Sequence, residues 1–219
     1  MPNIANHPRK LPRQARSLAT VGVILDATAL LLVDEGYDKT TTNRIAERAG
    51  VSIGSLYQYF PNREAVVAAV AQRVEAETSG PLWQILSDTR GQDLRGELKL
   101  IVSTSINSFA EALPLKRILL QATSMPATAQ WSAAVFQNRL TVLRAFFHAH
   151  AGELREGFNS EAASLLIPRM TRSAIDAAIL SRPAALVNGE LEHELTTMLT
   201  SYLVDDRRTG AWRTPRSNE

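Results

Sequence analysis

Cysteine is absent from the 219 residues, which excludes disulfides, thiol catalysis and thiolate metal sites. Histidine is scarce, at positions 7, 148, 150 and 193 only. His148 and His150 are two apart, which on a helix points them about 200° from each other and makes a poor chelate. No glycine-rich phosphate loop, serine elbow or pair of carboxylates at catalytic spacing stands out. The expectation is therefore a protein that is not an enzyme and needs no cofactor or metal. Long apolar runs are also missing. The richest, "ATALLLV", soon meets Asp34 and Glu35, and the basic N-terminus has no apolar stretch directly behind it. Neither a signal peptide nor a membrane helix is expected, which points to the cytoplasm. Hairpin signals are lacking too, since the one Asn-Gly pair, Asn188-Gly189, lies between helical patterns.

What is present is ordinary for a globular chain of one or two domains: 45% hydrophobic and 21% charged residues, with a net charge of +2. The charge is unevenly placed. Residues 1–16 carry Arg9, Lys10, Arg13 and Arg16 against no acid, and Arg207, Arg208, Arg213 and Arg216 crowd the last thirteen residues against Glu219 alone. Such arms either follow phosphate or are simply solvated.

Alanine and leucine dominate helical patterns throughout, so the fold class is all-α. A first helix is expected from about Ser17 to Glu35, apolar on most sides and stopped by Gly36. Three short units follow: a two-turn helix in "TTTNRIAERAG", a turn at Val51-Ser52, and a second short helix from Ile53 to Phe60. After Pro61-Asn62 a longer helix runs from Arg63 to Glu77, ended by Ser79-Gly80-Pro81. Further helices are expected over 94–113, closed by Pro114, then over 115–124, 128–150 and 160–181, the last with a kink at Pro168. A final helix carries Leu191, Leu195, Met198 and Tyr202 on one stripe.

Two short helices joined by a tight glycine turn, behind a supporting helix, form a helix-turn-helix. Ile45, Ala46 and Ala49 supply the inner face of the first, and Ala46 is small enough for the second to cross closely. On the second, Ile53, Leu56 and Phe60 cluster on one side at about 100° per residue. Gly54, Ser55, Gln58 and Tyr59 fall opposite, with Tyr57 on the flank. That exposed side is uncharged and rich in hydroxyl and amide groups, which bond phosphate oxygens or base edges. Gly54 lets the backbone approach a surface. Arg44, Arg48, Arg63 and the N-terminal arm would supply the salt-sensitive attraction to DNA.

The segment "TTTNRIAERAGVSIGSLYQYFPNREAVVAAV" closely resembles the DNA-binding part of TetR-type transcriptional regulators, a likeness covering roughly residues 17–75. The resemblance implies that Thr42 contacts phosphate. Ser52 would cap the recognition helix and contact phosphate as well. Ile53, Gly54, Ser55 and Gln58 would face bases, and Tyr57 would touch the backbone or a thymine methyl. Tyr59 stands where many members have histidine, and Arg63 replaces a frequent lysine. Ile53 departs from the usual polar residue, and either packs on a thymine methyl or completes the local core.

The same resemblance implies a small-molecule pocket within the helices of residues 92–150. Phe109, Met125, Trp131, Phe136, Phe147 and Met170 are its candidate lining for a largely apolar effector, each being equally readable as core. Arg169 and Arg172 flank Met170 and suit either an anionic ligand or solvent. Homodimerisation is expected through helices at about 161–181 and 190–204, whose stripes also serve as intramolecular core. The expected organisation is a flexible basic arm (1–16), a helix-turn-helix DNA-binding domain (17–78), a helical ligand-binding and dimerisation domain (81–205) and a flexible tail (206–219). The expected function is a ligand-responsive repressor that binds double-stranded palindromic operator DNA. An architectural or division-linked DNA binder without a ligand, and an activator, are the alternatives.

Overall fold

The computed structural model describes residues 15–88, 93–122 and 133–204, with the side chains of residues 15–16, 111 and 133–136 excepted. The N-terminal and C-terminal basic groups lie outside the described side chains. Among the described residues the fold is helical, with one isolated antiparallel bridge between Leu154 and Val204. The helices are α1 (Ala15–Glu35), α2 (Thr42–Arg48), α3 (Ile53–Tyr59), α4 (Arg63–Ser87), α5 (Leu94–Glu111), α6 (Leu113–Ala122), α7 (Ala133–Ala149), α8 (Ser160–Ser181) and α9 (Glu190–Leu203), with a 3-10 turn at Pro183–Leu186.

The chain divides into two compact units, residues 1–78 with 112–130, and residues 79–111 with 131–219. The first is organised around Ile24, Leu25, Leu31 and Leu32 of α1, Ile45 and Ala46 of α2, Leu56 of α3 with Phe60 behind it, Val66, Val67, Val70 and Val74 of α4, and Leu119 of α6. By length and hydropathy alone Ser17–Glu35 is apolar enough to cross a membrane, a test that a core helix also passes. Here it donates those four side chains to the core while Val23, Leu30 and Val33 remain exposed on its other side. Gly36 ends α1 in the left-handed conformation at φ +79°, which only glycine adopts without strain.

Two expected helix ends are corrected. α4 does not stop at Ser79-Gly80-Pro81 but continues to Ser87. Proline deletes one backbone bond there, yet the turn around it is held from the side: Arg139 donates to Ser79 Oγ at 3.0 Å and lies 4.8 Å over the Trp83 ring. Pro114 does not close α5 either. It sits in the first turn of α6, where its missing N–H has no intrahelical partner to lose. α6 belongs with the first unit, so a single cut near residue 80 does not separate the contacts.

The second unit buries Leu94, Leu98, Val102, Ile106 and Phe109 of α5 with Leu140, Leu143, Phe146 and Phe147 of α7 and Ile175 and Ile179 of α8. On α9 the inward set is Leu195, Leu199 and Leu203, whereas Met198 of the expected stripe is exposed. Within this unit His150 is clamped between two carboxylates, with Nε2 2.9 Å from Glu97 and Nδ1 2.9 Å from Glu153.

Candidate nucleic-acid interface

The geometry of the site begins with two capped ends and one turn. Thr41 caps α2 by accepting the Arg44 N–H, and Ser52 caps α3 by accepting the Ser55 N–H at 3.0 Å. Between them Gly50 adopts φ +65°. Its N–H donates to Glu47 O at 3.1 Å and the Val51 N–H donates to Ala46 O at 3.0 Å. This paired closure terminates α2 without leaving buried carbonyls unsatisfied, and it requires a residue that tolerates the left-handed region. Leu56 and Phe60 are buried, which seats α3 against α1, α2 and α4. Asn62 then starts α4 by accepting the Ala65 N–H at 2.8 Å.

With α3 seated on that side, Ser52, Ile53, Gly54, Tyr57 and Gln58 are exposed and Ser55 is half-buried. Ser52 and Ser55 share a hydroxyl bond of 2.8 Å. Thr42 and Tyr57, read separately from the sequence, meet: their hydroxyls are 3.2 Å apart, tying the start of α2 to the outer face of α3. A Cβ at Gly54 would meet only Ser52 Oγ, at 3.8 Å. Nothing inside the fold therefore requires glycine at that position.

Two side chains lie on different sides from those expected. Ile53 does not join Leu56 and Phe60; it is 38% exposed, so the core alternative is not realised. Tyr59 was expected to face outward with Gln58, but it is half-buried and packs on the core of the first unit. Position 59 lies three residues after Leu56 and one before Phe60, and the short helix leans toward the core on that side.

The cations are more committed than composition indicates. Arg44 pairs with Glu35, with Nη2 2.7 Å from Oε1, and Arg48 pairs with Asp34 at 2.8 Å. The acids that end α1 thus offset the two arginines of α2. Arg63 stacks 4.2 Å over the Tyr37 ring, donates to Tyr37 O at 3.4 Å and contacts Glu64 at 3.1 Å. Lys39 was missed by sequence reasoning. It is exposed two residues before the α2 cap and forms no ion pair among the described residues. Its signal was its position in "DKTTT", just ahead of a capped helix.

The candidate effector residues are not gathered into one site among the described side chains. Phe109 is buried under the Arg172 guanidinium, 4.9 Å over its ring. Arg172 also holds Asp176 at 2.8 Å, and Arg169 donates to the Leu165 carbonyl at 2.9 Å. Phe147 is buried edge-on to Phe146 and Phe158. Met170 is 50% exposed and so belongs to an outer face of α8 rather than to a core cavity. Met125, Trp131 and the side chain of Phe136 lie outside the described residues.

Comparison with known proteins agrees with this geometry. A family profile described as "Bacterial regulatory proteins, tetR family" matches residues 24–70, which takes in most of α1, the two short helices and the start of α4. The A-factor receptor protein of Streptomyces griseus is 35% identical over 82 residues, 36% of this chain and 30% of that protein. The nucleoid occlusion factor SlmA of Glaesserella parasuis is 31% identical over 111 residues, 50% of this chain and 53% of that protein. The chain thus spans from under a third to about half the length of these curated relatives. Among solved structures, SmeT, the repressor of the Stenotrophomonas maltophilia multidrug efflux pump SmeDEF, aligns with a TM-score of 0.64 at 23% identity, covering 92% of this chain and 96% of that one. Fold and helix-turn-helix meet in one segment: residues 24–70 of this chain match the tetR family of bacterial regulatory proteins.

Proposed function

We propose that the chain is a transcriptional repressor that binds a palindromic operator as a homodimer and leaves it when a small molecule binds the second unit. The observation that carries the DNA-binding part is the outer face of α3. Its exposed polar side chains and the unhindered Gly54 are offered outward, beside the Thr42–Tyr57 hydroxyl pair that ties α2 to this face. A convex helix with short hydroxyl and amide groups fits the major groove, where base edges are readable. Ser52, Thr42 and Lys39 would hold phosphate, Ser55 and Gln58 would read base edges, and Ile53 would pack against a thymine methyl. Arg44 and Arg63 would reach phosphate only by loosening their present partners.

Release by an effector draws support from the fold-level likeness to SmeT, which is known as a repressor and in complex with triclosan. The match to a nucleoid occlusion factor favours the second reading, a DNA binder without an effector. Selection of genomic DNA fragments by the purified chain tests the first step. Enrichment of one palindrome, lost with Tyr57→Ala or Ser55→Ala while helical content is kept, is the expected result. Fragments bound equally well by both variants would remove α3 as the reader. A library of apolar compounds that releases wild-type protein from the selected site then decides for the repressor, and a library with no effect decides for the occlusion-like reading.

A further inference from the structure

Within the second unit, α5 and α9 line an open cleft of about 480 Å³ whose walls differ from those of an apolar effector pocket. Arg95 and Lys99 of α5, one helical turn apart, line it opposite Thr196, Thr200 and Ser201 of α9. Glu192 and His193 also contribute to the lining, and no large apolar side chain does. The volume lies in the range of small-molecule sites, but this lining would hold a drug-like apolar compound poorly.

One hydroxyl marks the cleft as unfinished. The helical hydroxyls of Thr28, Thr78, Ser105 and Ser164 each donate to the carbonyl four residues back at 2.7 Å. Thr196 does not: its Oγ1 is buried and has no hydrogen-bond partner among the described residues. A buried polar atom without a partner is unfavourable unless some group completes it. Thr196 itself lines the cleft, so an oxygen bound there can complete its hydroxyl. Lys99 is exposed and makes no ion pair among the described residues.

We propose that this cleft binds a small hydroxylated anion, a phosphate or carboxylate carrying further polar groups. Lys99 and Arg95 hold the anionic group, Thr196, Thr200 and Ser201 bond its oxygens, and Glu192 accepts from a ligand hydroxyl. The single carboxylate of Glu192 works against ligands that are anionic at both ends and favours one charged end with a neutral polar remainder. This site is separate from the effector question above and does not depend on its answer.

Isothermal titration calorimetry of the full chain in 150 mM salt, at the level of physiological screening, tests it with four probes: inorganic phosphate, a hexose 6-phosphate, gluconate and the neutral hexose. The hexose phosphate should bind more tightly than inorganic phosphate, and a hydroxylated monocarboxylate such as gluconate binding more tightly still would assign the anion as carboxylate. The neutral hexose should not bind. Lys99→Gln should weaken the bound probe by about tenfold, the loss of one charge-assisted contact. Arg95→Gln should act in the same direction. Thr196→Val should raise the melting temperature, because it removes an unsatisfied hydroxyl, yet weaken binding. Absence of binding by all three anions at low millimolar concentration overturns the proposal, as does a Lys99→Gln variant that binds unchanged.

Discussion

Gly54 occupies the second position of α3 with an ordinary helical backbone, and its missing Cβ would make only an ordinary contact with Ser52 Oγ at 3.8 Å. Alanine there should stabilise the free protein by up to about 1 kcal/mol, since glycine costs conformational entropy in a helix. The same methyl would stand between the backbone and a base edge. Gly54→Ala should therefore weaken operator binding by about 1–3 kcal/mol, the worth of one good base contact. Opposite signs in a denaturant titration and a gel shift would identify a glycine kept for contact; equal affinity of the two proteins would remove Gly54 from the interface. Most of α3 was legible because a seven-residue helix with Leu56 and Phe60 four apart leaves little freedom in which way it faces. Ile53 and Tyr59 were not, because each lies at the boundary of the buried face, where the neighbouring helices rather than the period decide. Pairing of Arg44 and Arg48 with Glu35 and Asp34 was equally hidden, as the partners are nine and fourteen residues away in sequence and meet only once α2 folds back on α1.

Helices as elements were readable almost throughout, while ends that depend on packing were not. Local chemistry argued for a stop at Gly80-Pro81, and Arg139, sixty residues further on, outweighs it. Lys116 is the sharper case. On α6 it reads as a solvated cation, yet it is buried with Nζ 3.8 Å from Glu75 of α4, so the face of α6 that carries it packs inward. His150 was weighed only as a chelate with His148, and its role is to join elements instead. Its ring bonds Glu97 of α5 and Glu153, while Glu153 also accepts the Leu94 N–H at the start of α5 at 2.9 Å. Burial alone would disfavour the imidazolium, but the bonds and charges of Glu153 and Glu97 prevail and raise the histidine above its ordinary value of 6.5. A raised folded value means the charged pairing stabilises fully below the unfolded value of about 6.5 and fades as pH climbs through the folded one. Urea denaturation followed at pH 6 and pH 8 should show the second unit more stable at pH 6. His150→Gln should flatten that difference, and an unchanged slope in the variant would assign the pH dependence to other groups.

Across the whole molecule, the proposed operator symmetry needs a second copy, and α8 offers a face for it. Leu166, Met170, Ser173, Ala177 and Leu180 recur at intervals of four, three, four and three, which confines them to one stripe of the helix. All five are exposed, with Leu166 at 49% and Met170 at 50%. Exposed apolar side chains set singly need no explanation, but a continuous stripe marks a surface that is covered in use. Ser173 and Ala177 at its centre are small enough for a partner helix to approach closely, and Met198 extends apolar surface onto α9. An isologous contact, in which this stripe meets itself, would bring two recognition helices into one two-fold assembly, as half-sites about one DNA turn apart require. Ala177→Arg adds bulk and charge at the middle of the stripe without touching the core or α3. It should convert a dimer into a monomer in sedimentation at micromolar concentration, with far-UV circular dichroism unchanged. Operator affinity should fall steeply while binding to a single half-site persists weakly. A wild-type chain that sediments as a monomer, or an Ala177→Arg variant that remains dimeric, would place the symmetry elsewhere than on this face.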